Sequence, residues 1–308
     1  MTARTVKIAT SQYPIGRPSR WEDWVEHLSG WVARGAELAP SGILIFPEYG
    51  SLEIVSIRGA EAEGDIIRQI DTLTDLAADI DAVHRRLARE HDVFILAASL
   101  PLRLEDGRVV NRARLFAPNG DVGHQDKQIM TKYERTPWGI SGNPGLRVFD
   151  TPIGRLGIAI CYDVEFPLIG RALGEAGAEI ILAPSCTDTR AGAYRVRTGA
   201  LARALENQII TVVSPTVGAA PWLPSADTNF GRAGIYGPSD TKFHETGTFV
   251  EGEFDMPGWI HGEVDLGLIE VTRTDGNVLA FRHWAEQPGA DSLTLPEVER
   301  IRLGFGAC

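Results

Sequence analysis

The residue in this chain that is best placed to act as a nucleophile is Cys161. It follows the apolar run 156–160, which is too short for an ordinary helix and contains β-branched isoleucines, so the run predicts a buried strand. Residues 165–176 carry leucines and alanines at helical spacing. The predicted helix would point its N-terminal dipole at the thiol and favour the thiolate. A cysteine at a strand end can also be only a small buried hydrophobe.

A reactive cysteine needs a base and a donor for developing negative charge, and the candidates are Glu48 and Lys127. Histidine is the usual base, but none of the seven histidines sits in an obvious strand-end turn with a polar partner. Glu48 follows Pro47 after the apolar stretch 42–46, and Lys127 ends a predicted hairpin. Singly, each is typical of a solvated charge in a turn. Their occurrence together with Cys161 favours a catalytic site.

The other two cysteines lack such a setting. Cys186, in Pro-Ser-Cys-Thr-Asp, is predicted to be a pocket-wall residue, and Cys308 a free terminal thiol. Three cysteines in 308 residues do not indicate a disulfide framework. The sequence contains no Cys-x-x-Cys motif, so it gives no indication of zinc binding or dithiol redox chemistry. A reducing compartment fits this pattern best.

Strands and helices alternate along the chain, which predicts an α/β protein. Hairpins intervene, among them one across the Asn-Gly turn at 119–120, so we expect mixed rather than purely parallel sheets. The predicted strands cover residues 6–12, 42–46, 93–99, 112–117, 122–127, 147–150, 155–160, 180–184 and 208–214, and the predicted helices cover 21–38, 65–91, 165–176 and 194–207.

The last third of the chain is less regular. Residues 219–260 are dense in Pro, Gly and acidic positions and predict long ordered loops with short strands. Residues 261–274 alternate and predict a late strand. We assign 1–285 to one domain and 286–308 to a polar C-terminal tail.

Composition narrows the classes of partner. With 44% hydrophobic residues and 23% charged, the chain has the composition of a globular protein with a substantial core. The net charge of −11 argues against nucleic acid and anionic membrane as partners, so a small molecule is expected. The N-terminus lacks the apolar core of a signal peptide, and no later apolar run approaches the ~18 residues of a membrane span. We therefore expect a cytoplasmic location.

Three motifs in order carry a family resemblance. They are Phe-Pro-Glu48-Tyr, then Asp-Lys127-Gln-Ile-Met with Glu134 beyond it, then Gly-Ile-Ala-Ile-Cys161-Tyr-Asp-Val-Glu-Phe-Pro. Together they resemble the nitrilase, or carbon–nitrogen hydrolase, superfamily, and the similarity continues through Arg203-Ala-Leu-Glu-Asn. Membership implies a four-layer α-β-β-α sandwich with two mixed β-sheets. By analogy with the family we also expect a homodimer or a larger homo-oligomer.

The resemblance also implies roles for individual residues. Cys161 would be the nucleophile, Glu48 the general base and Lys127 the oxyanion stabiliser. Glu134 would be a second carboxylate that positions the lysine or the substrate, and the backbone N–H of Tyr162 would share the oxyanion. This chemistry needs no cofactor and no metal.

The residues after the nucleophile favour one branch of that superfamily. Nitrilases commonly have Trp-Glu there, whereas this chain has Tyr162-Asp163 and then Phe166-Pro167, which resembles the amidase and carbamoylase branches. We therefore expect hydrolysis of an amide or carbamoyl bond. The alternatives are nitrile hydrolysis or acyl transfer on the same site, and a non-catalytic binding protein that retains the fold.

A segment after the 180–184 strand is expected to form part of the substrate pocket. Its charged residues, Asp188, Arg190, Arg195 and Arg197, are candidates for substrate binding, with an arginine paired to a substrate carboxylate. The alternative is that these arginines pair with surface acids or a neighbouring subunit, and Glu165 has the same ambiguity. Trp222 and Trp259 could be pocket walls or ordinary core.

Overall fold

The computed structural model describes residues 4–306, and no helix within them is long and apolar enough to cross a membrane. The strands are β1 (Thr5–Pro14), β2 (Ile43–Ile45), β3 (Phe94–Arg103), β4 (Val109–Phe116), β5 (Val122–Asp126), β6 (Leu146–Thr151), β7 (Gly154–Ile158), β8 (Ile180–Ser185), β9 (Ile210–Ala219), β10 (Thr228–Asn229), β11 (Gly234–Tyr236), β12 (Thr248–Glu251), β13 (Gly258–Asp265) and β14 (Val298–Arg302).

The helices lie mainly between the strands of the first two thirds of the chain. They are α1 (Trp21–Leu38), α2 (Ala60–Glu63), α3 (Ile66–Glu90), α4 (Lys132–Arg135), α5 (Pro167–Glu175), α6 (Arg190–Asn207) and α7 (Gly267–Asp275), with short 3-10 helices at Gly50–Arg58, Cys161–Glu165, Arg282–Glu286 and Ala290–Ser292.

The strands form two mixed sheets that meet at one corner. The first sheet has the order β13-β1-β2-β3-β4-β5, with β1, β2 and β3 parallel and the remaining pairs antiparallel. The second has the order β14-β6-β7-β8-β9-β11-β12, in which β7, β8 and β9 are parallel. At the corner Tyr13 and Pro14 of β1 pair with Thr216 and Val217 of β9.

Strand β2 shows how the layers follow from its sequence. All three of its residues are fully buried, because a central parallel strand is covered on both faces. Ile43 and Ile45 belong to the core shared with the second sheet, whereas Leu44 packs in the core formed with α1 and α3. Helices α5 and α6 cover the second sheet. The predicted α-β-β-α sandwich is therefore confirmed.

The predicted strand at 261–274 is wrong in its second half. Strand β13 ends at Asp265, and α7 begins at Gly267. Asp265 ends the strand because its Oδ1 accepts hydrogen bonds from the N–H groups of Gly267 at 2.8 Å and Arg4 at 3.0 Å. Ile269 and Thr272 then face the interior at the spacing of a helix, a period that the short alternating run concealed.

Two further segments differ in detail from the prediction. The helix predicted at 194–207 begins earlier, at Arg190, because Thr189 caps it with its hydroxyl oxygen 3.1 Å from the N–H of Gly192. The segment 286–308, predicted as a tail, contributes β14, which pairs in parallel with β6. The structure does not test the domain boundary at 285, and Cys308 lies outside the described residues.

The two sheets approach each other closely at Gly123 of β5. A Cβ atom there would lie 2.3 Å from Cε1 of Phe149 on β6, and the Phe149 side chain is fully buried. We predict that Gly123→Ala lowers the free energy of unfolding by about 1–3 kcal/mol, because the ring has no space to move into. Urea unfolding measures this.

The matched control is Gly30→Ala. Gly30 lies within α1, and apart from the neighbouring backbone of its own helix no atom lies within 4 Å of the position that a Cβ would take, so the same change should raise the free energy of unfolding by roughly 0.5–1 kcal/mol. Equal stability of Gly123→Ala and the parent protein would contradict close packing of the sheets.

Candidate active site

Three of the residues singled out from the sequence line one cavity of about 370 Å³. Glu48 follows β2, Lys127 follows β5, and Cys161 opens the 3-10 helix after β7. Glu48 and Lys127 come from the first sheet and Cys161 from the second, so the cavity lies where the ends of strands from both sheets meet. All three side chains are buried, with at most 5% exposed.

Two of the turns that present these side chains have unusual backbone conformations. Cys161 has φ 48° and Tyr49, directly after Glu48, has φ 58°. Both angles fall in the left-handed region, which residues with a Cβ atom rarely adopt. The sharp reversal at Cys161 ends the strand and starts the 3-10 helix, so the thiol stands at the cavity wall.

Lys127 forms a buried ion cluster with two carboxylates. Its Nζ lies 2.7 Å from Oε1 of Glu48 and 2.8 Å from both Oε atoms of Glu134. Glu134 is held in turn by Thr131, whose backbone N–H and hydroxyl each donate to Oε2 at 2.8 Å, and by the Tyr49 hydroxyl at 2.7 Å. The position of the ammonium is therefore set from both sides.

Glu48 is held by neutral donors as well as by the lysine. The side-chain amide of Asn111 donates to Oε1 at 2.8 Å, and the backbone N–H of Cys186 donates to Oε2 at 2.9 Å. The thiol of Cys161 contacts the carbonyl oxygen of the same Cys186, with Sγ 3.8 Å from O. The peptide groups of Cys186 therefore bring the thiol and the carboxylate together.

Burial and charge set the protonation states in the cluster. Burial would lower the pKa of Lys127, but the charges of Glu48 and Glu134 outweigh it and hold the pKa well above its usual value. Burial would raise the pKa of Glu134, but the Lys127 charge lowers it overall. Burial raises the pKa of Glu48, and Lys127 offsets this only in part. The lysine is thus a permanent cation.

Cys161 is a thiol rather than a thiolate in this arrangement. Burial and then the negative charge of Glu48 raise its pKa well above the usual value. The expected helix dipole does not reverse this, because α5 begins only at Pro167 and a 3-10 turn precedes it. The thiol therefore requires a base, and Glu48 is the carboxylate next to it.

Asp163 joins the turn of Cys161 to the segment after Lys127. Its carboxylate accepts hydrogen bonds from the backbone N–H groups of Gln128, at 3.1 and 3.2 Å, and Ile129, at 2.8 Å. Burial raises the pKa of Asp163 to about 7, although the nearby Lys127 opposes the shift. This side chain ties the two sheets together beside the cavity.

Some of the supporting and substrate-binding candidates line the cavity, and others lie outside it. Tyr162, Glu165, Asp188 and Arg195 line the cavity, and Arg195 lies 3.5 Å from a carboxylate oxygen of Glu165. The two other arginines lie elsewhere. Arg190 pairs with Asp255 at 3.6 Å, and Arg197 pairs with Glu251.

The two tryptophans considered as pocket walls do not line this cavity. Trp222 packs on the core formed with α1 and α3, with the guanidinium of Arg17 over its ring. Trp259 packs against Trp31 and Phe46. Cys186 does line the cavity, as predicted. Among residues 4–306, no group of three His, Cys, Asp or Glu side chains is arranged to hold a metal ion.

Sequence reasoning missed the neutral groups that hold the carboxylates. Asn111 follows the apolar pair Val109 and Val110 in β4, and a neutral polar residue directly after such a pair is the one signal that could have drawn attention to it. The hydroxyl of Tyr49 and the backbone N–H of Cys186 carry no such signal, because their roles depend on where the chain folds back.

The ion cluster predicts that Lys127→Met lowers the free energy of unfolding by an amount that depends on pH. Removing the ammonium leaves two buried carboxylates without a cation, so we expect the free energy of unfolding at pH 7 to fall by about 3–5 kcal/mol. The folded-state pKa values of Glu48 and Glu134 would then lie above their unfolded values, so the variant should regain stability as pH falls from 7 to 5. Urea unfolding at both pH values measures this.

The control for this prediction is Lys242→Met. Lys242 pairs with Asp275 at the surface, where the two side chains are 38% and 78% exposed, so its loss should cost less than ~1 kcal/mol at either pH. A deficit in Lys127→Met that is the same at pH 7 and pH 5 would contradict the charge assignment.

Solved structures of similar shape confirm the fold. A carbon-nitrogen hydrolase from Helicobacter pylori G27 superposes with a TM-score of 0.71 at 18% identity, covering 88% of this chain and 92% of that one. A mutant of an amidase from Nesterenkonia AN1, of the nitrilase superfamily, superposes with a TM-score of 0.67 at 20% identity over 95% and 98% of the two chains. At these identities the likeness shows the fold alone.

Sequence relatives extend the comparison. "Probable hydrolase YhcX" of Bacillus subtilis is 34% identical over 277 residues, covering 90% of this chain and 53% of that protein. A deaminated glutathione amidase of Yersinia enterocolitica is 32% identical over 145 residues, covering 44% and 51%. The chain thus spans about half the length of these relatives. The family model described as carbon-nitrogen hydrolase matches residues 7–273, and the chain therefore belongs to the carbon-nitrogen hydrolase, or nitrilase, superfamily.

Proposed function

We propose that this protein hydrolyses an amide or carbamoyl carbon–nitrogen bond of a small molecule through a covalent intermediate on Cys161. The observation that carries the proposal is the shared cavity, in which a buried thiol adjoins a carboxylate that is 2.7 Å from a permanent ammonium. A volume of about 370 Å³ suits a small-molecule substrate. Membership of a hydrolase superfamily, and a relative named as an amidase, agree with this reaction class.

Acylation begins with Glu48 as the base. Its carboxylate takes the thiol proton as Cys161 Sγ attacks the substrate carbonyl carbon, because the thiol is not ionised beforehand. The carbonyl oxygen becomes an oxyanion. As the tetrahedral intermediate collapses, the carbon–nitrogen bond breaks and Glu48 gives its proton to the leaving ammonia or amine. A thioester or thiocarbamate remains on the sulfur.

Hydrolysis of this intermediate reverses the same proton transfers. Glu48 takes a proton from water as the water oxygen attacks the thioester carbonyl. The carbon–sulfur bond then breaks, and the proton on Glu48 returns to the sulfur. The products are an acid and the free thiol, so one water is consumed in each turnover and the enzyme is unchanged.

Lys127 is the proposed donor to the oxyanion. Its three N–H groups meet three carboxylate oxygens, but the two oxygens of Glu134 are equidistant at 2.8 Å and can share one N–H. That leaves one N–H for the substrate oxygen. The backbone N–H of Tyr162 is the second donor, since the first N–H groups of a helical turn have no partner within the turn.

We further infer that the enzyme acts on its substrate in the cytoplasm and assembles as a homo-oligomer. The low cysteine content and the net charge of −11 support a reducing compartment and a small-molecule partner. Size-exclusion chromatography with light scattering tests the assembly directly.

Intact-mass spectrometry after exposure to panels of primary amides, carbamoyl compounds and nitriles tests the intermediate. An amide should add its acyl group minus one hydrogen to Cys161, whereas a nitrile would add its whole mass. We expect adducts with amides or carbamoyl compounds, none in Cys161→Ala, and turnover reduced by ~10²–10⁴-fold in Glu48→Gln. Added hydroxylamine distinguishes acyl transfer from hydrolysis.

Cys186→Ala is the matched control, because Cys186 lines the same cavity but contributes only its backbone to Glu48. It should still form the adduct. If folded, reduced protein forms no adduct with any of the three classes and releases no product from them, the result favours the alternative of a non-catalytic binding protein.

The pH dependence follows from the same charges. Glu48 must be ionised to act as a base, and burial raises its pKa above the usual 4.5. We therefore expect kcat/KM to be lost as pH falls through a value above 4.5. Lys127 keeps its proton beyond its usual pKa of 10.5, so no alkaline loss is expected near neutrality. Samples returned to pH 7 before assay control for unfolding, and an acid limb below 4.5 would contradict the assignment.

A further inference from the structure

Asn111 is the residue that contacts every member of the buried ion cluster. Its side chain is fully buried on β4, with Nδ2 2.8 Å from Oε1 of Glu48 and 3.4 Å from Oε1 of Glu134. Its backbone carbonyl accepts the N–H of Lys127 at 2.9 Å. One residue therefore bridges both carboxylates and fixes the backbone from which the ammonium extends.

The cluster needs such a neutral donor. Glu48, Glu134 and Lys127 together carry one uncompensated negative charge, and all three side chains are almost fully buried. An amide supplies two N–H donors but no proton that can be lost, so it stabilises the carboxylates without entering proton transfer. A second lysine in this position would instead compete for the charge that holds Lys127.

The two carboxylate oxygens of Glu48 have different hydrogen-bond partners. Oε1 is occupied by Nζ of Lys127 and Nδ2 of Asn111. Within residues 4–306, Oε2 accepts only the backbone N–H of Cys186, whose carbonyl is the group contacted by the Cys161 thiol. Oε2 therefore has a lone pair free, and Cys186 links this oxygen, through its N–H, to the thiol, which contacts its carbonyl.

We propose that Asn111 is a positioning residue that anchors Oε1 of Glu48 and thereby turns Oε2 toward the thiol of Cys161 as the proton acceptor. This inference rests on the proposed role of Glu48 as the base. Asn111 itself touches neither the sulfur nor the cavity wall, so it acts through Glu48.

A pH profile is the readout that a merely structural role would not move. Glu48 is surrounded by other titratable groups, and each element packed against it contributes: Tyr49, Lys127, Glu134, Cys161, Asp163 and Cys186. Asn111→Leu alters none of these groups and keeps the branched shape of the side chain. It removes the donors, which favours the protonated carboxylic acid.

The probe is iodoacetamide, because it needs no knowledge of the substrate. Its rate of alkylation at Cys161, followed by peptide mass mapping across pH, reports the assistance that Glu48 gives to the thiol. We expect the acid limb in Asn111→Leu to move up by about one pH unit, with roughly tenfold slower alkylation below it. With a substrate identified, kcat should fall while KM stays within about twofold.

Asn207→Leu is the matched control. Asn207 is also fully buried, its Nδ2 donates to the carbonyl of Arg203 at 3.1 Å, and its Oδ1, like that of Asn111, has no partner within residues 4–306. Both variants should lose stability in urea unfolding, but only Asn111→Leu should move the acid limb. An unmoved limb in Asn111→Leu, or an equal shift in both variants, overturns the proposal.

Two further variants make every outcome decisive. If Asn111→Leu does not fold, Asn111→Ser, which keeps one hydroxyl donor, should show a smaller upward shift, and an unmoved limb there also overturns the proposal. Glu48→Gln separates the two hypotheses. If it leaves the alkylation profile unchanged, the proposed base is wrong; if it abolishes the acid limb while Asn111→Leu leaves it in place, only the role of Asn111 is wrong.

Discussion

Lys127 donates to Glu48 and Glu134 over 2.7–2.8 Å among side chains that are almost fully buried, and the rest of the site depends on this contact. A buried cation between two carboxylates is stable only when further hydrogen bonds offset the cost of taking the charges out of water. The side chains of Asn111, Tyr49 and Thr131 supply those hydrogen bonds. The ion cluster is therefore also a rigid frame, whose geometry exists before any substrate arrives.

The same cluster determines how the thiol can be activated. A cysteine paired with an imidazolium rests as a thiolate, because the positive charge lowers its pKa. Here burial and then the negative charge of Glu48 raise the pKa of Cys161, and the charge of Lys127 only partly opposes them. In the proposed mechanism, proton transfer therefore accompanies nucleophilic attack, and the carboxylate that raises the pKa is also the group proposed to accept the proton. In the proposed mechanism, the position of Glu48 next to the thiol therefore provides the activation that a resting thiolate would otherwise provide.

Such placement requires the two sheets to be held in a fixed relation. Glu48 and Lys127 belong to the first sheet and Cys161 to the second, so a shift of one sheet would separate the proposed base from the proposed nucleophile. Asp163 accepts N–H groups from the segment after Lys127, and Cys186 bridges Glu48 to the thiol. The close approach of Gly123 on β5 to Phe149 on β6 is a further contact between the two sheets.

Local sequence determined the strand ends that present Glu48, Lys127 and Cys161, because short apolar runs closed by polar residues carry that information in themselves, and motif order determined the family. The strand expected at 261–274 was only half correct, since a short alternating run cannot show where Asp265 ends a strand. Tertiary structure alone decided that Asn111 and the backbone of Cys186 hold Glu48, and that Arg190 and Arg197 pair away from the cavity. These contacts join residues far apart in the chain, and their partners are set by how the two sheets pack, which no local pattern records.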